Sequence, residues 1–341
     1  MATLKNTTIS ENGFLKLPTG SSPERPGSPT VGDSRFNTTL NLFETWNGSS
    51  WVAAIKTKQP EFTVVSFTDP GSYTFTVPVG VEFVHVLVVA GGGGGAQRHG
   101  GGGGAGGMLE QYYFPVAPGG SVPVVVGGAG PSVNGPNPFG NPGLKGNPSS
   151  FSYLTVEGGG GGFSDGSQAP VQDGGSGGGG SHNPGNTSGA GRTGLGTSQY
   201  GQGYPGGGAS NGPAPVGGTG PYPGTSNPHS GGGGGGAGGA GQPSPDNSHA
   251  GAGGMGRQSW ITGEGRWYAG GGGGGNHAGH TQGGNGGLGG GGRGGGHATA
   301  GVPGTGGGGG CFSNNNPYGQ PGGDGIVIVR WTEANRNRAA T

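Results

Sequence analysis

The chain has a single cysteine, Cys311, in 341 residues. No disulfide can close within one molecule, and the residue reads as a small buried apolar side chain with no redox role. Charge is equally scarce. Fifteen Lys and Arg stand against 15 Asp and Glu, giving zero net charge with 9% charged residues, where a globular chain has roughly 25%. Without a basic cluster there is no electrostatic footprint for a phosphate backbone, so nucleic acid is not an expected partner. Apolar residues make up 27% against the usual ~45–50%, too few for a conventional core. The longest apolar run, VEFVHVLVVA, falls far short of the ~20 residues a membrane helix needs. The opening MATLKNTTIS has neither the charged nor the apolar region of a secretory signal, and membrane insertion is not expected.

What is abundant is glycine: 99 residues, gathered into runs such as 91–95, 100–104 and 231–236. Glycine buries no side chain and loses more backbone entropy on ordering than any other residue, so a folded chain of this kind must recover the loss through backbone hydrogen bonds. The runs are therefore either disordered linkers or polyglycine II helices packed side by side. The packed form has the three-residue turn and ~3.1 Å rise of polyproline II, with every N–H and C=O directed outward to a neighbour. The length of the runs and their alternation with loops favour packing. Collagen is excluded, because tracts such as GGGGGGAGGAGQPSPDN break the every-third-glycine rule. Glycine and 28 prolines leave essentially no α-helix. The fold class expected is mainly β with polyglycine II: an N-terminal β-meander, a β-sandwich-like frame and a glycine-rich bundle.

Four segments follow from the pattern. Residues 1–57 hold SRFNTTLNLFETWNGSSWVAA, alternating strands around Asn47-Gly48, a hairpin signal of the type I′ kind. With Phe36, Phe43, Trp46 and Trp51 and little else to bury them, this module is expected to serve attachment or assembly. Residues 58–157 form a β frame with the first glycine tracts. Its strand signals are FTVVSF, SYTFTVP, VEFVHVLVVA, then Met108–Val116, Ser121–Val126 and Phe151–Val156. The run VEFVHVLVVA, apolar on both faces, is expected to be a central strand covered on both sides. Residues 158–323 form the bundle with displayed loops. Residues 324–341 supply a closing strand, GIVIVRW, expected to pair with Val81–Ala90, and a tail.

Little here signals bond-making chemistry. GxGxxG recurs wherever glycine does and carries no information; Lys145 is followed by Gly146 rather than Ser or Thr, so no P-loop is formed. The acids are dispersed without a paired-carboxylate or Ser/His/Asp spacing, and the chain is not expected to be an enzyme. No cofactor is expected. His277 and His280 are the only closely spaced histidines and a weak metal candidate, with solvated polar residues as the plainer alternative. His85, within an apolar strand, reads as a hydrogen-bonded core histidine. Aromatic residues in polar loops do stand out: Tyr200, Tyr204, Tyr222, Trp260, Trp267, Tyr268 and Tyr318. They are the residues of binding hot spots, and equally of caps on the bundle or contacts between subunits. In RQSWITGEGRWY the tryptophans stand beside Arg257, Arg266 and Glu264, groups suited to stacking on sugars and bonding their hydroxyls.

The segment LKLPTGSSPERPGSPTVGDSRFNTTLNLFETWNGSSWV, residues 15–52, resembles a short module of virion structural and fibre proteins of tailed phages. Residues from about 62 to 331, with FTVPVGVEFVHVLVVAGGGGG, YYFPVAPGGSVPVVVGGAG and a terminal GDGIVIVRW, resemble the glycine-rich domain of phage tail fibres. A looser similarity is to the tip adhesins of T-even-type long tail fibres, from which this chain departs by carrying its own N-terminal module and strands. The resemblance implies a tail-fibre protein located in the virion and assembled in the host cytoplasm. It implies a homotrimer joined to a neighbouring tail or capsid protein, with a host-surface glycan or outer-membrane protein as receptor. The candidate receptor-binding residues are then Trp260, Trp267, Tyr268, Tyr200, Tyr204 and Tyr222. A capsid decoration or vertex fibre, and an ice-binding polyglycine II protein, are the alternatives.

Overall fold

The computed structural model describes residues 18–53, 62–133, 135, 140–164, 173–181, 202–209, 230–245, 248–276, 283–313 and 318–332. The chain divides into two compact units, Met1–Glu61 and Phe62–Thr341.

The first unit is a four-stranded sheet of β1 (Thr19–Gly20), β2 (Ser34–Asn37), β3 (Leu42–Trp46) and β4 (Trp51–Ala53) in that spatial order, β1 parallel to β2 and the rest an antiparallel meander. The hairpin at Asn47-Gly48 is present, but Trp46 pairs with Trp51 across a four-residue loop. Only Gly48 takes positive φ there, at 101°. The Asn47 side chain closes the loop by accepting from the N–H groups of Ser49 and Ser50, both at 2.9 Å. That Asx arrangement displaces the two-residue type I′ turn. The centre of the module is polar. Glu44, 1% exposed, accepts from Arg25 Nη2 at 2.6 Å and from Asn37 Nδ2 at 3.0 and 3.1 Å, with Arg35 Nε at 3.7 Å. Arg35 in turn donates to the carbonyls of Glu24 and Ser21, tying the Pro/Ser-rich strap to the sheet. On the other face Phe36 and Phe43 meet edge to face at 5.1 Å.

The second unit begins as a β frame. One sheet has the order β5 (Phe62–Phe67), β14 (Ile326–Thr332), β7 (Phe83–Val89), β8 (Met108–Pro115); the other has the order β11 (Leu154–Val156), β10 (Ser149–Phe151), β9 (Ser121–Val126), β6 (Gly71–Thr76). Both are antiparallel throughout. The segment FSYLTV, read from sequence within a single strand, turns at Ser152 (φ +54°) and folds into the β10–β11 hairpin. The two sheets share a core in which Val84, Val86 and Val88 of β7 and Val327 and Val329 of β14 meet Phe75, Val124 and Phe151. The alternate residues Leu87, Val89, Ile326 and Ile328 lie in a second apolar cluster with Ile261 and Tyr268. β7 is thus covered on both faces, as its unbroken apolar run requires. β14, more than 230 residues further along the chain, pairs with β7 and lies between it and β5.

The glycine tracts grow out of this frame. Along residues 91–96 the N–H groups of Gly91 and Gly94 donate to Asn147 and Leu144, those of Gly92 and Gly95 to Gly323 and Gln320, and those of Gly93 and Ala96 to Gly104 and Gly101. The partner changes at every residue and returns at every third, which is the turn of polyglycine II. Tract 231–236 is surrounded in the same way. It donates to segments 269–275, 177–180 and 239–242 and accepts from 251–254, 102–105 and 204–207. Six neighbours about one rod make a hexagonal lattice with backbone, not side chains, as its interior. No Cβ fits there: one built at Gly103 lies 2.1 Å from the carbonyl oxygen of Gly93. Rods from the 58–157 and 158–323 segments interleave, so frame and bundle form one body. β7 runs into the lattice at Gly91 and the chain returns to β8 at Met108, so the frame occupies one pole. The turn at Gln97–His99 and the Ser132↔Gly143 and Ser230↔Asn276 bridges lie at the other.

Candidate functional site

The segment RQSWITGEGRWY is a β-hairpin, β12 (Arg257–Ser259) with β13 (Arg266–Tyr268), rather than a loop displayed by the bundle. It lies on the face of the four-stranded sheet that turns away from the sandwich core. Ile261 and Tyr268 are buried against that face. Arg257 Nη2 donates to the Met108 carbonyl at 2.7 Å and Ser259 Oγ to Glu110 Oε1 at 2.8 Å. The hairpin covers the part of the face nearest the bundle and stops short of its outer end. A groove of about 360 Å³ remains, at the low end of the roughly 300–1,000 Å³ of small-molecule sites.

Period-two alternation sets the floor. His85 of β7 and Arg330 of β14 are paired across the sheet and so share a face. The walls are aromatic: Trp260 from the hairpin on one side, Tyr112 and Tyr113 of β8 on the other, with Phe83 at the outer end; the ring of Trp331 packs the other way, against Phe75 in the sandwich core. Trp260 is 61% exposed, Tyr112 62% and Tyr113 80%. The tyrosines owe their position to a register shift: Val84 pairs with Phe114 but Val86 pairs with Gln111, so Tyr112 and Tyr113 together oppose His85. This is a β-bulge, a device that re-aims side chains. It holds Tyr113 at φ +55°, a left-handed conformation that costs a non-glycine residue about 1–3 kcal/mol. Tyr113 is 80% exposed, so packing of its side chain does not offset that cost.

The rest of the groove is rigid. The His85 and Tyr112 rings stack at 4.0 Å and 23°, and His85 Nε2 lies 2.8 Å from Glu110 Oε1. Burial opposes the charge on Glu110, but the hydrogen bonds from His85 and Ser259 and the positive charge of Arg257 outweigh it and hold the carboxyl below its ordinary range. Burial, with the Glu110 charge, pushes the Tyr112 phenol up. Arg330 lies 3.7 Å over the Phe62 ring and donates through Nη1 to the carbonyls of Trp260 and Ile261 at 3.3 and 3.5 Å. Ser259, Glu110 and His85 are adjacent, yet the carboxylate receives both partners and Ser259 is buried. The imidazole does not reach the hydroxyl, so the trio fixes a surface instead of activating a nucleophile.

Of the described aromatic residues singled out in sequence, Trp260 alone lines the groove. Trp267 pairs with Gln258 on the outward face of the hairpin, half-exposed. Tyr268 faces inward, buried in the second apolar cluster, with its phenol pushed up by that burial; it presents nothing to a ligand. Tyr204 and Tyr318 are exposed outside the groove. Tyr200, Tyr222, His277 and His280 lie outside the described residues, among which no cluster of three or more His, Cys, Asp or Glu is placed to hold a metal. No helix among them is long and apolar enough to cross a membrane. His85 is hydrogen-bonded as expected but belongs to the groove floor. Sequence reasoning missed Tyr112, Tyr113 and Arg330. The adjacent tyrosines in LEQYYFPV were the available signal, since one of two neighbours in a regular strand would have to face the core.

A family model described as a glycine-rich domain matches residues 68–332. No curated protein matches the chain.

Proposed function

The chain belongs to the glycine-rich domain family, and from that footing we propose that it is a phage tail-fibre protein, a virion component that contributes to recognition of the host surface. The observation that carries the reading is the aromatic groove: exposed Trp260, Tyr112 and a strained Tyr113 around a polar floor, held by a body whose interior is hydrogen-bonded backbone. Flat aromatic faces with polar edges suit the alternating C–H and O–H faces of sugars. A rigid frame leaves little loop entropy to lose on contact. The receptor proposed is accordingly a host-surface glycan, and the chain would act as a homotrimer joined to a tail or capsid protein through its N-terminal module, without catalysis.

The test is adsorption. Particles carrying Trp260→Ala, or Tyr112→Ala, are expected to bind host cells at least about tenfold more weakly, as loss of a hot spot of ~2 kcal/mol implies, while the melting temperature holds because both side chains are mostly exposed. Trp267→Ala, outside the groove, is the comparison. Undiminished adsorption by both groove variants would overturn the reading.

A further inference from the structure

Charge in the groove is unbalanced, and the imbalance selects a class of ligand. Among the described residues, Arg330 is the one permanently charged residue that lines it; Glu110 lies behind the lining, its Oε1 2.8 Å from both His85 Nε2 and Ser259 Oγ. Arg330, paired across the sheet with His85, forms no ion pair among the described residues. Its contacts are two long hydrogen bonds from Nη1 to backbone carbonyls and the face of Phe62. A guanidinium carries five donors in a planar fork that matches a carboxylate, and no partner for Nη2 or Nε lies among the described residues. In a chain with zero net charge this is a placed cation, not part of a basic surface.

We infer that the groove takes a carboxylate-bearing sugar, a uronic or sialic acid residue of a surface polysaccharide, with its ring against Trp260 and Tyr112 and its carboxylate on Arg330. The inference rests on the reading of the groove as a saccharide site and adds the charge of its ligand. A nucleotide also offers a flat ring and an anion. A phosphodiester chain, however, is held by rows of cations, and here, among the described residues, a single guanidinium lines the groove. One planar fork facing one planar anion fits a single carboxylate, and about 360 Å³ accommodates a sugar residue or two rather than a polymer backbone.

Calorimetric titration of the full chain tests this. The probes are oligosaccharides of glucuronate, of galacturonate and of α2,8-linked sialic acid, each beside its neutral methyl ester, with a single-stranded oligonucleotide as the competing class. At least one acid is expected to bind about tenfold or more tightly than its ester, the ratio that one charge-assisted hydrogen bond supplies, and to weaken as salt is raised. Arg330→Gln should bring that ratio to one, Arg330→Lys should leave an intermediate ratio because charge remains without the fork, and Trp260→Ala should weaken acid and ester alike. Esters binding as well as acids would overturn the inference and leave the saccharide reading intact. Binding of the oligonucleotide alone, or of none of the probes, would overturn both.

Discussion

Replacing Gly233 with alanine adds one methyl group at the centre of the lattice, and the consequence can be worked through. A Cβ at this position would lie 2.0 Å from the carbonyl oxygen of Ala252, 2.3 Å from its carbon and 2.7 Å from the nitrogen of Gly253, whereas ordinary contact begins at 3.4 Å. All three atoms are backbone, so no side chain can rotate away and the rods must part by more than 1 Å. The bonds at stake are Gly233 N–H to Gln242 O (3.0 Å), Gly207 N–H to Gly233 O (2.8 Å) and Gln242 N–H to Ala252 O (2.8 Å). Each buried group left unpaired costs at least about 1 kcal/mol, so the four groups of two lost bonds cost about 4 kcal/mol. Restriction of the unfolded chain returns about 0.4–1 kcal/mol, leaving a net loss of about 3–4 kcal/mol. At about 2–4 °C per kcal/mol for a unit of this size, scanning calorimetry should show melting about 6–16 °C lower. Gly296 is the control: exposed, with nothing within 4 Å of an added Cβ, its change to alanine should raise stability by about 0.4–1 kcal/mol. If Gly233→Ala melts with the parent, backbone crowding is not what holds the bundle.

Three further outcomes follow from the same geometry. Tyr113→Gly should stabilise the chain by about 1 kcal/mol, because glycine occupies φ +55° without strain, and should weaken glycan binding; a lower melting temperature would mean that the tyrosine is a packing residue. In the N-terminal unit, the hydrogen bond from Arg25 and that from Asn37 hold the Glu44 carboxyl below its ordinary range against its burial. A depressed folded pKa contributes stability above the unfolded pKa that is lost as pH falls through the folded one. Protection factors across residues 34–46, which correct for the slower intrinsic exchange in acid, should therefore fall on acidification below the usual carboxylate range, and Glu44→Gln should flatten that dependence; protection factors that do not change with pH would refute a stabilising role for Glu44. If the proposed tail-fibre role holds, a chain beginning at Phe62 should show slow exchange across residues 231–236 yet fail to enter virions; incorporation at the parental level would refute attachment through the N-terminal module.

The rods were legible because polyglycine has few ordered forms, and a run that alternates with loops must bond to its neighbours or not fold. The strands β5, β6, β7 and β14 were legible from their apolar patterns, β7 most clearly, since a run apolar on both faces has no other home. The groove was not. The bulge at Tyr112 and Tyr113 arises from a one-residue mismatch between β7 and β8, and register between strands leaves no mark in either strand's own composition. In the sequence Arg330 is simply one charged residue near the end of the closing strand GIVIVRW. Its role depends on which face the even positions of β14 share with His85, a fact fixed only by pairing. The hairpin at 257–268 was hidden because Gly263 and Gly265, which shape its turn, look like more of the surrounding glycine.

The three-residue period also governs how such a chain can diverge. One glycine inserted in the middle of a rod rotates every later N–H by about 120°, so each donor meets the wrong neighbour from that point to the pole. Three inserted together restore the directions but leave one rod longer than the six around it. Substitution fares little better, since at glycines such as Gly103 and Gly233 an added Cβ would lie within about 2 Å of a neighbouring backbone oxygen. Heritable change is thereby channelled to the segments between rods, where length and composition are free of the register. A lineage under pressure to alter what it binds would rewrite its poles and leave the interior untouched, conserving glycine without conserving a single side-chain contact.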